Sequence, residues 1–106
     1  MKLDPQVHAD VRRLTRLLSC IGLRYRLTRS RQCNTAYVEA YLGAATAKVR
    51  VSTHPPNLAN VINDPLVADI HPGSPDTVSS AIDRVSGVFA PFVRKVARCR
   101  TYRTSC

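Results

Sequence analysis

Apolar positions change their period twice along the chain. From about Pro5 to Ile21, the residues Val7, Val11, Leu14, Leu18 and Ile21 recur every three or four positions, with Leu17 on the flank. Arg12, Arg13 and Arg16 fall on the opposite face. This spacing predicts an amphipathic helix. Asp4 is placed to cap it, Pro5 takes the first helical position, where a missing N–H costs nothing, and Gly22 supplies a stop. The period then falls to two. Leu23, Tyr25 and Leu27 alternate with Arg24, Arg26 and Thr28. After a polar turn over Ser30–Thr35, Ala36, Val38, Ala40 and Leu42 alternate with Tyr37, Glu39 and Tyr41. Beyond Gly43-Ala44-Ala45, Ala47, Val49 and Val51 alternate with Lys48, Arg50 and Ser52. Three short strands joined by tight turns predict an antiparallel meander with one buried and one wet face. A slip of one residue would turn every side chain to the wrong face, so the alternation pins the register.

Residues 53–75 break this pattern with His54-Pro55-Pro56-Asn57, Asn63-Asp64-Pro65 and His71-Pro72-Gly73. Proline removes donors and restricts its predecessor, which predicts loops, with Leu66–Ile70 as a short edge strand. Ser74-Pro75-Asp76 has the chemistry of a helix start. Val78, Ile82, Val85, Phe89, Phe92 and Val96 form a second helical stripe, which Pro91 should kink or split, its clash falling on the carbonyl of Gly87. The expected fold is α+β, a two-layer sandwich in the order α-β-β-β-(β)-α, with two helices on one face of an antiparallel sheet. A single domain over 1–97 and a basic tail over 98–106 follow from where periodicity ends.

Charge changes the picture from architecture to partners. The net charge is +9, from 16 Lys+Arg against 7 Asp+Glu. It is segregated: residues 1–52 hold ten cations and three acids, 53–83 four acids and no cation, and 84–106 six cations and no acid. Thirteen of the sixteen cations are arginine, whose planar fork pairs with phosphate or carboxylate and stacks on rings. Basic ends around an acidic middle point to a partner dense in negative charge, nucleic acid or an acidic surface of a protein or nucleoprotein complex.

If both helices cover one face, the other is lined by Arg24, Arg26, Thr28, Tyr37, Glu39, Tyr41, Lys48, Arg50 and Ser52. Tyrosines that stack bases, interleaved with Arg24, Arg26, Lys48 and Arg50 to hold phosphates, match a surface for single-stranded nucleic acid. A second basic surface is Arg94, Lys95 and Arg98, continued by Arg100 and Arg103. Helix-dipole compensation accounts for two or three of these cations, and the remainder form an arm able to follow a phosphate backbone.

Two resemblances bear on this. The α-β-β-β-α order and basic charge over residues 5–97 resemble the double-stranded-RNA-binding domain. That domain carries a Gly-Pro-x-His turn and a Lys-Lys-x-Ala-Lys helix start, where this chain has Ser30-Arg-Gln-Cys-Asn-Thr35 and Ser74-Pro-Asp-Thr-Val-Ser79, so the family is not assigned. Residues 30–54, ending Lys48-Val-Arg-Val-Ser-Thr-His54, are similar to a strand–turn–strand ending Lys-Ile-Arg-Ile-Ser-Asp-His in small uncharacterised phage and mobile-element proteins. Thr53 stands where those proteins usually have Asp. The resemblance implies a phage-borne accessory protein, a class that includes anti-CRISPR-like inhibitors of host defence docking on a protein subunit.

Other classes fit poorly. His54, His71, Asp64 and Asp69 share the proline-rich segment, but there is no phosphate loop, nucleophile elbow or Cys-His signature, so no catalytic residue is expected. Cysteines 20, 33, 99 and 106 stand 13, 66 and 7 residues apart, which matches no metal knuckle; free thiols and no cofactor or metal are expected. No apolar run approaches the roughly 20 residues of a membrane span. Met1-Lys2-Leu3-Asp4-Pro5 lacks a signal-peptide core, which predicts a cytoplasmic protein, in a bacterial host if phage-encoded.

Overall fold

The computed structural model describes residues 3–30, 34–56 and 65–91. The first helix, α1, spans Pro5–Cys20, and the carboxylate of Asp4 accepts the N–H of Gln6 at 2.9 Å. Its end is closed by two backbone bonds. Leu23 N–H reaches the Leu18 carbonyl at 3.0 Å, and Gly22 N–H reaches that of Ser19 at 3.0 Å. This pairing needs a left-handed residue between them, and Gly22 has φ +82°. The turn brings Leu23, buried beside Leu18 in the same core, back onto the helix it has just left.

From there the chain forms β1 (Arg24–Arg29), β2 (Thr35–Leu42) and β3 (Ala45–Ser52), paired antiparallel in sequence. A two-residue turn joins β2 to β3, with Gly43 at φ +60°, the sign that hairpin turns matched to strand twist demand. The fourth strand, β4 (Ala68–Ile70), lies inside the predicted 66–70 segment but pairs with β3 in parallel. The sheet is therefore mixed, in the order β1-β2-β3-β4, rather than wholly antiparallel. A long connection between β3 and β4 permits this, where a tight hairpin would have forced the antiparallel sense.

The second helix, α2 (Val78–Phe89), begins three residues beyond the expected start. Thr77 caps it, accepting the N–H of Ser80 at 3.2 Å while its own N–H donates to Ser80 Oγ at 2.8 Å. Ser74 serves the sheet instead. Its hydroxyl donates to the Asp69 carbonyl at 2.7 Å and accepts the Asp76 N–H at 3.1 Å. The helix ends at Phe89, before Pro91, and the residues after Pro91 lie outside the described ones. Phe92 and Val96 lie outside the described residues, as does the proposed boundary between domain and tail.

Both helical stripes and the inward side chains of β2 and β3 form one core, holding Val11, Leu14, Leu18, Val38, Val49, Val51, Ile82, Val85 and Phe89. α1 packs on β1, β2 and β3, and α2 on β3 and β4. One expectation fails here. Tyr25 and Leu27, on the helix side of β1, are 38% and 43% exposed. Periodicity assigned them the right face, but β1 is an edge strand and projects past the helical cover.

Truncating Leu18 or Phe89, both fully buried, to alanine should cost about 2–5 kcal/mol, read by chemical denaturation. Ser86 makes the opposite forecast. It is 0% exposed within α2 and its hydroxyl has no partner among the described residues. Ser86→Ala should raise stability by about 1 kcal/mol in the same assay, because it removes an uncompensated polar group.

Candidate functional site

The register stacks the outward side chains in rows across the face remote from the helices. Arg24 stands opposite Tyr41 and then Thr46; Arg26 opposite Glu39 and then Lys48; Thr28 opposite Tyr37, Arg50 and Asp69. Arg24, Arg26 and Thr28 are exposed, and Tyr37, Glu39, Tyr41 and Lys48 are half-buried. Neither tyrosine lies under a described helix, since both share the face opposite the apolar core.

Cations reach the tyrosines along diagonals. The Arg26 guanidinium carbon lies 5.1 Å from the centre of the Tyr41 ring, and the Lys48 ammonium 5.8 Å from that of Tyr37. Such offset neighbours on a strand pair are within reach of long side chains, and a cation over a ring gains from the ring quadrupole. Glu39 separates the two units and stands directly opposite both cations in the register. The arrangement is a patch of two cation–tyrosine pairs around one carboxylate, with Arg24 at its edge.

Arg50 does not belong to this patch. It is 3% exposed, although it alternates onto the same face. Its guanidinium pairs with Asp69 at 3.0 Å and donates to the His54 carbonyl at 2.9 Å. It also lies 3.2 Å from His54 Nδ1 and 3.5 Å from the Pro55 carbonyl. The chain leaving β3 folds over this row and seals it. Next to it the hydroxyls of Thr35 and Ser52, both buried, share a bond of 2.7 Å, with His54 Nε2 at 3.5 Å from Thr35. The face expected to be wet throughout is closed at the Thr35–Ser52 end and open at the Arg24–Tyr41 end.

Sequence reasoning missed this closure. Two signals were available: an aspartate inside the candidate edge strand, and a His-Pro-Pro run immediately after β3. It also passed over Arg29, exposed on the helix side of β1. Arg94, Lys95 and Arg98 lie outside the described residues, as do Asp64, Cys33, Cys99 and Cys106. His54 and Asp69 are brought together, but on Arg50, whose guanidinium both contact. His71 lies elsewhere, with Nδ1 3.0 Å from the Pro72 carbonyl.

A cavity of about 240 Å³ opens between the start of α1 and the ends of β3 and β4, against Asp4, Asp10, Ser52 and His71. Its two carboxylates are already engaged, Asp4 by the N–H of Gln6 at 2.9 Å and Asp10 by the Gln6 amide at 3.1 Å. Among the described residues, no three His, Cys, Asp or Glu side chains are placed to hold a metal ion. No helix among them is long and apolar enough to cross a membrane.

These features define a class: an α+β protein on a mixed four-stranded sheet, one face under two helices and the other bearing a cation–tyrosine patch. No protein-family model matches the chain, and no curated protein or solved structure is significantly similar to it.

Arg50→Ala should cost about 3–5 kcal/mol in chemical denaturation, because it leaves Asp69 and two carbonyls half-buried without their cation. Arg24→Ala, at an exposed position of the same face, should fall within about 0.5 kcal/mol of the parent.

Proposed function

We propose that this chain is a small, basic, non-catalytic binding protein that takes nucleic acid, free or held within a nucleoprotein machine, on the open half of its sheet. The observation that carries the reading is the pair of cations seated over Tyr37 and Tyr41 on a face no described helix covers. A guanidinium over a tyrosine keeps its outer plane available for a base, while its N–H groups remain free to meet phosphate. Aromatic platforms of this kind tolerate any base, and cations beside them follow the backbone. Single strands, whose bases are unstacked, suit such a surface better than a closed duplex. The net charge of +9 favours the same partner and draws it in over a distance set by ionic strength.

Fluorescence anisotropy with short single- and double-stranded oligonucleotides at two salt concentrations tests this. Micromolar or tighter binding that falls steeply with salt supports it. Tyr41→Ala should weaken binding by about 1–3 kcal/mol without unfolding the protein. Arg26→Ala should also flatten the salt dependence by about one unit of slope. Glu39→Gln should tighten binding, since it removes the carboxylate that stands opposite both Arg26 and Lys48. Truncation before Arg98 is the control, because a tail acting alone would abolish binding and leave the tyrosine change silent. Absence of binding at low salt overturns the reading and gives the patch to an acidic protein surface, as a phage-type inhibitor would use it.

A further inference from the structure

The two edges of the sheet are finished differently. In the middle of β4, the N–H of Asp69 donates to the Asp76 carboxylate at 2.9 Å and its carbonyl accepts from Ser74 Oγ at 2.7 Å. Arg84 binds Asp76 at 2.9 Å and the Val67 carbonyl at 3.0 Å, so a network from the next loop and α2 covers that edge. Nothing comparable occurs on β1 among the described residues. The bond from Ser30 N–H to the Thr35 carbonyl, 2.9 Å, sets the parity of the β1–β2 ladder. Arg24, Arg26 and Thr28 therefore turn their backbone groups to β2, and Tyr25, Leu27 and Arg29 turn theirs outward.

The bare strand also exposes apolar side chains. All six residues of β1 are exposed, and Tyr25 and Leu27 are the exposed large hydrophobics among the described residues. The strand contains no proline and its pairing with β2 runs without a bulge, so two common protections of an edge are missing. Among the described residues arginine is its only shield, and that shield constrains what can dock.

We propose that β1 pairs antiparallel with β1 of a second copy, about a two-fold axis through Leu27. Only the outward-facing odd residues can bond across such an edge, and the position of the axis decides which side chains meet. Centred on Leu27, the pairing sets Leu27 against Leu27, Tyr25 against Arg29, Arg26 against Thr28 and Arg24 against Ser30. No arginine stands opposite another, and each Arg29 meets a tyrosine ring. Moving the axis to Arg26 puts Arg26 opposite its own copy, a like-charge contact that destabilises a strand pair. Moving it to Thr28 sets Leu27 against Arg29 and takes Tyr25 off the pairing. Shape and charge thus select one self-complementary register. The product is a continuous eight-stranded sheet in which the open patches of the two copies, Arg24, Arg26 and Tyr41, adjoin across the axis.

Dimerisation does not depend on nucleic acid, and salt separates the two. Screening relieves repulsion between two copies of charge +9, whereas it weakens binding to phosphate. Sedimentation velocity of the full chain, under reducing conditions and without nucleic acid, should show a shift from 11.7 kDa toward twice that mass as concentration and salt rise. Leu27→Lys, which opposes two ammonium groups on the axis, should raise the dissociation constant roughly tenfold or more. Leu27→Pro should act likewise while keeping the far-ultraviolet spectrum, because the N–H it deletes points away from β2. A chain that stays monomeric up to its solubility limit overturns the proposal, as does a dimer that survives both variants. A monomer that Leu27→Lys destabilises against heat shows the edge to be covered by the chain's own segments. A monomer that binds an extended glutamate-rich peptide, and loses it on Leu27→Pro, assigns the edge to an acidic protein strand; either result refutes the dimer.

Discussion

The guanidinium of Arg50 is the constraint around which the outer face is organised. A buried cation without partners would cost more than a small domain can spare, so the chain has to bring it acceptors. Asp69 supplies the charge from β4, while His54 and Pro55 supply carbonyls from the segment leaving β3. Meeting these needs places β4 beside β3 and draws residues 54–55 across the sheet. It also closes the Thr35–Ser52 row to water and leaves the Arg24–Tyr41 end open. The candidate surface is thus the half of the sheet that Arg50 does not use.

The helical layer sets the second limit. α1 seats its stripe on β2 and β3, where Ala36, Ala40 and Ala47 allow close approach, and α2 covers β3 and β4. Leu23 is carried under α1 by the turn at Gly22, but β1 then runs out along the margin, and Tyr25 and Leu27 emerge from cover. The same geometry that gives the protein one core therefore leaves one sheet edge with exposed apolar side chains. The opposite edge, tied by Ser74, Asp76 and Arg84 to α2, has no such freedom.

Charge placement follows from these two constraints together. The arginines of β1 and the lysine of β3 cannot retreat into a core. Arg26 and Lys48 are set over tyrosine rings one residue pair away along the diagonal. A ring holds a guanidinium such as that of Arg26 in place without removing its charge. A flat patch of cations and rings, with Glu39 the one carboxylate among its described side chains, is the chemical property available to a partner.

What the sequence determined is what depends on period and local geometry. The stripe from Val7 to Ile21 could pack only as a helix, the alternation from Ala36 to Val51 could present only one apolar face, and Asp4 and Gly22 marked the ends of α1 by their own backbone chemistry. The far-face positions of Arg24, Arg26, Tyr37, Tyr41 and Lys48 were legible for the same reason, since alternation assigns a side. What only the tertiary structure decided is which of those positions meet water. Arg50 and Ser52 share the parity of Lys48 yet are buried, because the strand nineteen residues further on and the loop between arrive from outside the local pattern. Tyr25 and Leu27 share the parity of Val38 yet are exposed, because an edge has no neighbour beyond it. Ser74 carried the local signature of a cap yet holds β4 instead, since Thr77 and Ser80 satisfy the helix start between themselves. Period assigns the face of a strand; burial depends on what else in the chain is brought against it.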